Sequence, residues 1–249
     1  MGQDCSDLAE KVSARLQSGG RLTVLTGAGI SAESGVATFR DLGGLWEQYR
    51  VEDLASPEGF ARNPGVVYDF YNMRRAQLKR IEPNPGHRAL AALERQLGAG
   101  FTLVTQNVDD LHERAGSQRV LHMHGELRKA RCQACGAIQV WPGDLDALSH
   151  CGQCKAQSLR PHIVWFGEMP LYMEEQIPAS LDAEIFMSIG TSGQVYPAAG
   201  FVGLARANGA LTLEINLMTA EHSQQFQHSI YGKAGEVLPR LLAEITALL

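Results

Sequence analysis

The chain has 249 residues, of which 45% are hydrophobic and 20% are charged, and its formal net charge is −5. This is the composition of a soluble globular protein, and the acidic balance argues against a nucleic-acid-binding surface. No apolar run approaches the roughly 18 residues that a membrane-spanning helix requires, and the start of the chain lacks the pattern of a secretory or transit peptide. We therefore expect a soluble, cytoplasmic and monomeric protein that binds neither nucleic acid nor membranes.

Short strands and helices alternate along most of the chain. The β-prone runs end in polar or glycine-containing segments, and they lie at residues 21–26, 101–105, 185–189 and 211–215. Helical patterns lie at residues 86–97, 109–115, 196–207 and 234–248. This alternation predicts an α/β fold with a Rossmann-like parallel sheet, in which the loops that leave the carboxyl ends of the strands line the ligand crevice.

Two segments do not fit this alternation and predict a small inserted domain. Residues 43–82 are helical and loop-like, since Ser56-Pro57 and Asn63-Pro64 each place a capping residue before a proline at a first helical position. Residues 128–165 contain four cysteines and show little periodicity. We predict that these two segments together form the small domain. The Rossmann-like domain then consists of residues 1–42, 83–127 and 166–249.

Four of the five cysteines are spaced as ligands of one metal ion. They form two pairs, Cys132-x2-Cys135 and Cys151-x2-Cys154, with 15 residues between the pairs. Two tight turns of this kind offer four thiolates to one tetrahedral Zn²⁺ ion. Two disulfides are the alternative interpretation, but a chain without a secretory signal normally keeps its thiols reduced. Because all four positions are cysteine, we expect a structural zinc ion without an open coordination position.

The predicted strand at residues 21–26 runs into a glycine-rich loop. The sequence Gly27-Ala28-Gly29-Ile30-Ser31-Ala32 satisfies the G-x-G-x-x-A pattern of dinucleotide-binding folds, where small residues let the backbone approach a pyrophosphate. The acid that ordinarily follows about 20 residues later is missing. A group suited to bind ribose follows a later predicted strand instead, at Glu214-Ile215-Asn216. The sequence therefore predicts a nucleotide crevice but breaks the order of motifs found in dehydrogenases.

The glycine loop is the first of several motifs that occur in the order of one family. They are residues 27–40 (GAGISAESGVATFR), 105–109 (TQNVD), 164–168 (VWFGE), 190–192 (GTS) and 214–216 (EIN), together with His124-Gly125 and the four cysteines. With these motifs the chain resembles the sirtuin family of NAD-dependent protein-lysine deacylases over nearly its whole length. One departure is Ala37, where the family usually has proline.

The resemblance implies a reaction, its cofactors and a catalytic centre. The enzyme uses NAD to remove acyl groups from lysine residues of proteins or peptides and releases nicotinamide and O-acyl-ADP-ribose, while one zinc ion has a structural role. His124 is then the catalytic base for a ribose hydroxyl, and Asn107 and Asp109 orient the ribose and the nicotinamide amide. Capping of the helix at residues 109–115 is the alternative role for these two polar residues, and it is compatible with the first.

The family pattern also implies a set of cofactor contacts. Phe39 is expected to cover the departing nicotinamide, and Gln106 is expected to hydrogen-bond the ribose near His124. The full set comprises Gly27, Ala28, Gly29, Ser31, Ala32, Glu33, Thr38, Phe39, Arg40, Trp46, Gln106, Asn107, Val108, Asp109, Gly190, Thr191, Ser192, Asn216, Leu217 and Ala234. Five other histidines are expected to be solvated or to cap helices, namely His87, His112, His150, His222 and His228.

The β-prone run at residues 161–168 follows the cysteine pairs. In the family this segment pairs with the substrate backbone as an added strand, a mode of binding that makes few demands on peptide sequence. A buried strand is the alternative interpretation. The expected peptide contacts are Val164, Phe166, Gly167 and Glu168.

The helix predicted after Pro64 carries Tyr71 and Arg74, which share one helix face because they are three residues apart. In one interpretation the tyrosine packs inward and the arginine lies on a solvated surface. In the other, the guanidinium forms a bidentate contact with a carboxylate and the tyrosine adds a hydroxyl donor. The pair resembles the signature of class III sirtuins, which remove succinyl, malonyl and glutaryl groups. We therefore expect removal of these acidic acyl groups together with deacetylation.

Two functions other than lysine deacylation remain as alternatives at this point. Mono-ADP-ribosyl transfer uses the same cofactor and part of the same site. A non-catalytic adaptor that senses nucleotides would use the crevice and the zinc-binding segment without releasing nicotinamide. The presence of His124 together with Asn107 and Asp109 argues against the adaptor.

Overall fold

The computed structural model describes residues 2–36, 49–220 and 222–249 as a succession of short strands and helices. Within these residues the strands are β1 (Leu22–Thr26), β2 (Phe101–Thr105), β3 (Val120–His122), β4 (Gly125–Cys132), β5 (Ile138–Val140), β6 (Leu159–Ile163), β7 (Ile185–Ile189), β8 (Leu211–Asn216) and β9 (His228–Tyr231). The helices are α1 (Gly2–Gln17), α2 (Ala28–Ala32), α3 (Val51–Leu54), α4 (Pro57–Arg62), α5 (Pro64–Leu78), α6 (Pro85–Leu97), α7 (Leu111–Ala115), α8 (Gln176–Ser180), α9 (Phe201–Ala207) and α10 (Ala234–Ala247).

Six of these strands form one parallel sheet in the order β3-β2-β1-β7-β8-β9. The chain moves outward from β1 in one direction and, from β7, outward in the other, which is the strand order of a Rossmann-like fold. In the register of the two central strands, Leu22 lies opposite Ile185 and Thr26 opposite Ile189. The point where the strand order reverses lies between these strands. The predicted α/β fold with a parallel sheet is confirmed.

Helices cover both faces of the sheet. Helices α1, α6 and α10 pack on one face, where Leu8, Val12, Leu90 and Leu238 are buried together with strand residues. Helices α8 and α9 pack on the other face, around buried residues that include Phe201. Because both faces are covered, every residue of the central strands β1 and β7 is buried, as is usual for parallel sheets. Burial of this apolar surface is the main favourable contribution to folding.

Helices α3, α4 and α5 form a second unit with a three-stranded antiparallel sheet of order β5-β4-β6. Two of these helices begin as the sequence predicts. Ser56 Oγ accepts a hydrogen bond from the backbone N–H of Gly59 at 3.0 Å, Asn63 Oδ1 accepts one from that of Val66 at 3.4 Å, and each cap precedes a proline. The aromatic side chains of α5 and two of the cysteines share one buried cluster.

Two helices of the larger unit begin later than the sequence pattern predicts. Helix α7 begins at Leu111 because the Asp109 carboxylate accepts the backbone N–H of Leu111 at 3.1 Å and stays outside the helix. Helix α9 begins at Phe201 because residues 198–200 form a 3-10 turn.

The predicted boundaries of the two domains stay a prediction. Strand β4 runs across the predicted boundary between residues 127 and 128. None of the described helices combines the length and apolar character needed to cross a bilayer.

Candidate active site and metal centre

Glycines bring the loops after β1 and β7 into direct backbone contact where the strand order reverses. The backbone N–H of Gly29 donates to Gly190 O at 2.8 Å, and Gly190 has a φ of +62°. A Cβ atom on Gly29 would lie 2.7 Å from the Cα atom of Gly190, and one on Gly190 would lie 2.5 Å from the nitrogen of Ile30. Side chains at these positions would separate the two loops. The predicted glycine loop therefore lies at the carboxyl edge of the sheet, as the motif requires.

Asn107 connects the loop after β2 to the glycine loop. Its Nδ2 group donates to Gly27 O at 3.1 Å and to Ser31 Oγ at 3.0 Å, and its backbone N–H donates to Thr105 Oγ1 at 3.0 Å. An amide nitrogen carries two hydrogens, and both are used in these contacts. The Oδ1 atom of Asn107 is therefore the part of the amide that can accept a hydrogen bond from a ligand.

Asp109 is buried beside Ser31, in a position compatible with both of the roles that the sequence presented as alternatives. Its carboxylate accepts the backbone N–H of Leu111 and thereby caps α7, and it is also close to the Ser31 hydroxyl. Burial raises the pKa of the Asp109 carboxyl group, although these hydrogen bonds act in the opposite direction. Helix capping and contact with a ligand in the crevice are thus compatible at this residue.

His124 lies between β3 and β4, next to the polar loop that follows β2. Its Nδ1 atom is 3.2 Å from the backbone oxygen of Gln106. Because a carbonyl oxygen only accepts hydrogen bonds, Nδ1 carries the hydrogen, and the lone pair of the neutral ring is on Nε2. Burial lowers the pKa of His124, which keeps the imidazole neutral at neutral pH. The residue predicted as the base is therefore in the protonation state that a base requires.

His122, two residues earlier, has the opposite electrostatic environment. Its Nε2 atom is 2.6 Å from Glu113 Oε1, and its Nδ1 atom is 3.0 Å from the backbone oxygen of Asn107. Burial alone would lower the pKa of His122, but the hydrogen bond and charge of Glu113 outweigh it and raise the pKa. In the sequence this residue forms an H-x-H pattern with His124 that could in principle bind a metal, which the four cysteines make unnecessary, and no role in the crevice was predicted for it. His122 thus contacts the Asn107 main chain with a raised pKa, while His124, with a lowered pKa, remains available as a base.

Two histidines expected to be solvated or to cap helices are instead buried behind the glycine loop. The rings of His87 and His112 are stacked edge to face with centroids 4.9 Å apart, and both are at most 1% exposed. The capping role holds for His87, whose Nδ1 atom accepts the backbone N–H of Asn84 at 3.4 Å. The expectation of solvation is wrong for His112, whose Nε2 atom is 3.0 Å from Thr26 Oγ1. Burial lowers the pKa of His87 to about 4 and that of His112 as well, so both rings are neutral at pH 7.

A solvent-open cleft of about 370 Å³ lies at the carboxyl ends of the central strands. Its polar lining comes from Gln106, Ser188, Thr191, Glu214 and His222. Ser188 and His222 were not predicted to contribute. The signal for Ser188 was present in the sequence, because it interrupts an apolar strand near its carboxyl end.

The remaining predicted cofactor contacts are distributed around this edge. Asn216 Nδ2 donates to Thr191 O at 2.8 Å, and the Glu33 carboxylate accepts the backbone N–H of Gly235 at 2.9 Å, next to Ala234. Leu217 is exposed. Four of the predicted contacts lie outside the described residues, namely Thr38, Phe39, Arg40 and Trp46. Ala37, the departure from the family pattern, lies outside them as well.

Tyr71 and Arg74 are both buried in α5, with 1% and 8% of their surfaces exposed. The interpretation that placed the arginine on a solvated surface is therefore wrong. Burial raises the pKa of Tyr71 to about 12, against the opposing effect of the Arg74 charge. Burial lowers the pKa of the Arg74 guanidinium, and the nearby Tyr71 and Asp109 counteract this shift. The Arg74 guanidinium is thus near enough to Asp109, in the crevice, for the two charges to interact.

The segment that follows β6 lies against both His124 and Tyr71. The backbone N–H of Val164 donates to His124 O at 2.9 Å, and the indole N–H of Trp165 donates to Tyr71 Oη at 2.9 Å. Phe166 is 56% exposed, so the alternative of a buried strand applies only as far as Ile163, where β6 ends.

Glu168 shapes this segment from within. Its carboxylate accepts two hydrogen bonds from Arg160 at 2.7 and 2.9 Å, one from Arg131 at 3.2 Å, and one from the backbone N–H of Trp165 at 2.9 Å. The Arg160 guanidinium also stacks on the Trp165 ring, 3.4 Å from its centroid. The contacts of Val164, Phe166, Gly167 and Glu168 with a peptide stay predictions.

Helix α5 is bonded to the main chain of the unit that contains the cysteines. Tyr68, Asn72 and Arg75 donate from their side chains to backbone carbonyls at 2.7, 2.9 and 2.7 Å. The accepting carbonyls belong to Leu159, Leu145 and Leu127. These contacts join the helix that carries Tyr71 and Arg74 to that unit at three separate points, so that two remain when any one is removed.

The four predicted metal ligands converge at one end of the antiparallel sheet. The sulfur atoms of Cys132, Cys135, Cys151 and Cys154 all lie within 4.8 Å of one another. The Cys132–Cys154 and Cys135–Cys151 pairs have Sγ–Sγ distances of 3.6 and 3.7 Å. Four sulfurs at about 2.3 Å from a tetrahedral zinc ion are separated by about 3.8 Å, so the donor set fits zinc in both number and spacing.

The two cysteine turns have the same backbone construction. The residue after each pair, Gly136 or Lys155, has a positive φ of 75° or 65°, and its N–H donates to the carbonyl of Cys132 or Cys151 at 2.9 or 3.0 Å. Such turns direct two sulfur atoms to one side. Because all four ligands come from the protein, the metal leaves no position open for substrate.

Comparisons with known proteins agree with this geometry. Residues 27–197 match the family model described as the Sir2 family. An NAD-dependent protein deacylase of Salmonella typhimurium is 54% identical over 236 residues, which cover 94% of this chain and 86% of that protein. An NAD-dependent protein deacylase of Yersinia pseudotuberculosis is 55% identical over 226 residues, which cover 90% of this chain and 81% of that protein. A solved structure of a Sir2 homologue in complex with NAD has a TM-score of 0.84 and 40% sequence identity, over 92% of this chain and 91% of that chain.

Proposed function

Because this chain belongs to the Sir2 family, we propose that it is an NAD-dependent protein-lysine deacylase, which removes acyl groups from lysine side chains of proteins or peptides. The relatives with this activity in their names are more than half identical to it over at least 90% of its length. The observation that carries the proposal is the position of neutral His124, which is hydrogen-bonded to Gln106 at the same sheet edge as the glycine loop and Asn107.

The residues at this edge suit a dinucleotide. The glycine loop presents main chain instead of side chains, and the polar groups of Ser31, Asn107 and Thr191 stand beside it. Small residues of this kind let a pyrophosphate approach the backbone closely. Bound NAD supplies the ribose carbon to which the acyl oxygen adds, with nicotinamide as the leaving group.

His124 takes the proton from a ribose hydroxyl in this proposal. The carbonyl of Gln106 holds Nδ1–H and so leaves Nε2 as the proton acceptor, and the lowered pKa of His124 keeps that atom unprotonated at neutral pH. Asn107 directs Oδ1 to the ligand because its two N–H groups are held by the glycine loop. Asp109 offers its buried carboxyl group to the nicotinamide amide.

The acyl groups removed include succinyl, malonyl and glutaryl as well as acetyl. Burial of Arg74 beside Tyr71 supports this part of the proposal, because removing a charged guanidinium from water is costly unless it meets negative or polar groups. A terminal carboxylate can accept both arms of the guanidinium and a tyrosine hydroxyl. An acetyl group has no terminal carboxylate and does not make this contact.

Mass spectrometry of one lysine peptide, incubated with the protein and NAD, tests the proposal. The peptide is supplied in acetylated, succinylated, malonylated and glutarylated forms. Deacylation predicts loss of the acyl mass, with one nicotinamide and one O-acyl-ADP-ribose formed for each lysine released. A peptide that gains the mass of ADP-ribose would identify an ADP-ribosyltransferase, and absence of nicotinamide release would identify a binding protein.

A further inference from the structure

We infer that Trp165 is a positioning residue for acidic acyl groups. Its indole N–H donates a hydrogen bond to the Tyr71 hydroxyl oxygen, so the hydroxyl hydrogen is directed elsewhere and can be donated to the acyl carboxylate. The inference deepens the proposed function and rests on it. Trp165 is itself buried, with 2% of its surface exposed, and lies 94 residues from Tyr71 in the sequence.

The direction of this hydrogen bond follows from the chemistry of the two side chains. An indole nitrogen can only donate, whereas a phenol oxygen can donate one hydrogen and accept others. The Trp165 Nε1 to Tyr71 Oη distance of 2.9 Å therefore describes a bond in which the tyrosine is the acceptor. The hydroxyl's own proton remains to be donated, and a carboxylate, which has only acceptor atoms when ionised, is a matching partner.

Tyr71 keeps this proton under physiological conditions. Burial raises the pKa of Tyr71 to about 12, so the hydroxyl is neutral at pH 7. An ionised phenolate next to a succinyl carboxylate would repel it, and a neutral hydroxyl avoids that repulsion. The nearby Arg74 supplies the positive charge that attracts the carboxylate, and the Tyr71 hydroxyl supplies a hydrogen bond that orients it.

The indole is held in a fixed orientation from its other side. The Arg160 guanidinium lies 3.4 Å from the ring centroid of Trp165, and two hydrogen bonds from Arg160 to Glu168 keep the guanidinium in place. The Glu168 carboxylate also accepts the backbone N–H of Trp165 at 2.9 Å. Both the ring and the main chain of Trp165 thus contact the Arg160–Glu168 ion pair. These contacts restrain the orientation of the indole N–H that donates to Tyr71.

Tyr68 provides a matched comparison on the same helix. It lies three residues before Tyr71, is also buried, and donates from its hydroxyl to Leu159 O at 2.7 Å. This bond joins α5 to β6, the strand that leads into the segment containing Trp165. It does not involve Tyr71, and the bonds from Asn72 and Arg75 still hold α5 when it is lost. Its loss therefore removes one helix-to-sheet hydrogen bond without changing the acceptor role of the Tyr71 oxygen.

The test compares Trp165→Phe, Tyr71→Phe, the double variant and the control Tyr68→Phe, with succinyl- and acetyl-lysine on one peptide. We expect Trp165→Phe to lower the ratio of succinyl to acetyl kcat/KM by about 3- to 10-fold, mainly through KM, as for loss of one neutral hydrogen bond. The ratio should be unchanged in the control. In the Tyr71→Phe background, Trp165→Phe should lower the ratio no further.

An unchanged ratio in Trp165→Phe, or an equal further loss in the Tyr71→Phe background, would overturn the inference and leave the proposed function intact. A ratio unaffected by Tyr71→Phe would overturn the proposed acyl selectivity at this residue and the inference with it. If Trp165→Phe does not fold, 3-benzothienylalanine placed at position 165 keeps the two-ring shape and removes only the N–H donor. The same fall in the ratio is then expected, and an unchanged ratio would count against the inference.

Discussion

The two sheets of the molecule hold their functional residues by different means. At the carboxyl edge of the parallel sheet, backbone hydrogen bonds continue from the strands into the loops, for example from Gln106 to Thr26 O and from Gly27 to Ile189 O, both at 2.9 Å. The antiparallel sheet has only three strands, and the four cysteines are clustered at one end of it. Main-chain hydrogen bonds thus hold the loops of the first region, whereas the second has a core to which metal ligands contribute.

Under the proposed function, this difference would separate the chemistry from the selection of the acyl group. His124 and Asn107 belong to the loops of the parallel sheet, while α5, with Tyr71 and Arg74, is bonded to the antiparallel sheet. Disturbing the first region should reduce turnover for every substrate. Disturbing the second should change the response to acidic acyl groups more than the response to acetyl, unless the whole second unit is lost.

Removal of the metal should have the largest effect. We expect a chelator to unfold residues 128–165 and abolish turnover, because the binding energy of a structural zinc ion is part of the folding energy of its site. Circular dichroism, zinc release and deacylation measured on the same sample check this prediction. NAD binding, measured by calorimetry, should persist if the parallel sheet is independent of the metal, and full turnover in metal-free protein would contradict the prediction.

Replacement of His124 by alanine should have the next largest effect. We expect turnover to fall by about 10²-fold or more for acetyl- and succinyl-lysine alike, which is the usual loss when a general base is removed. The dissociation constant for NAD should change little because the glycine loop is unaltered. Steady-state kinetics with both peptides, together with NAD binding, provide the measurement. Turnover close to that of the unaltered protein would remove His124 from the mechanism.

Arg74→Met should act on the second region alone. The substitution keeps an unbranched side chain on α5 but removes the guanidinium, whose bidentate contact with a carboxylate contributes roughly 1.5–3 kcal/mol. We therefore expect kcat/KM for desuccinylation to fall by about 10- to 150-fold relative to deacetylation, mostly through KM. An equal fall in both activities would show that Arg74 is structural and that the proposed acyl selectivity is wrong.

The pH dependence should show the smallest effect and should distinguish two neighbouring histidines. The pKa of His124 is lowered by burial, so the acid limb of kcat/KM should have its midpoint below the ordinary histidine value of about 6.5. The pKa of His122 is raised by Glu113, so its ring should lose its proton only above that value. Titration of both rings by NMR gives the two values directly, and a His124 midpoint above 6.5 would contradict the prediction.

The sequence was sufficient wherever a function depends on residues that are close together in the chain. The glycine loop, both cysteine pairs and the proline-led starts of α4 and α5 are local patterns with one physical cause each, and the structure places each as predicted. Helical spacing also placed Tyr71 and Arg74 on one face. It did not decide whether Arg74 is buried, because that depends on what packs against α5.

Contacts between distant residues were not accessible to the same reasoning. Nothing in the local pattern around His122 indicates Glu113, and nothing around Tyr71 indicates Trp165. His87 and His112 looked like residues of helix edges because their neighbours in the sequence are polar, yet the fold stacks them behind the glycine loop. Side chains that meet only in the folded protein require knowledge of the whole topology.

The bonds that fasten α5 have a consequence for how acyl preference can change by mutation. Its three anchoring side chains donate to main-chain carbonyls, which persist when the side chain of the accepting residue is replaced. The accepting residues Leu127, Leu145 and Leu159 can therefore be replaced by apolar residues of similar volume without loss of these bonds. New acyl preferences should arise from single substitutions on the exposed or pocket-facing side of α5, with no compensating mutation elsewhere. In a library selected for altered acyl chains, we expect the beneficial changes to cluster in that one helix.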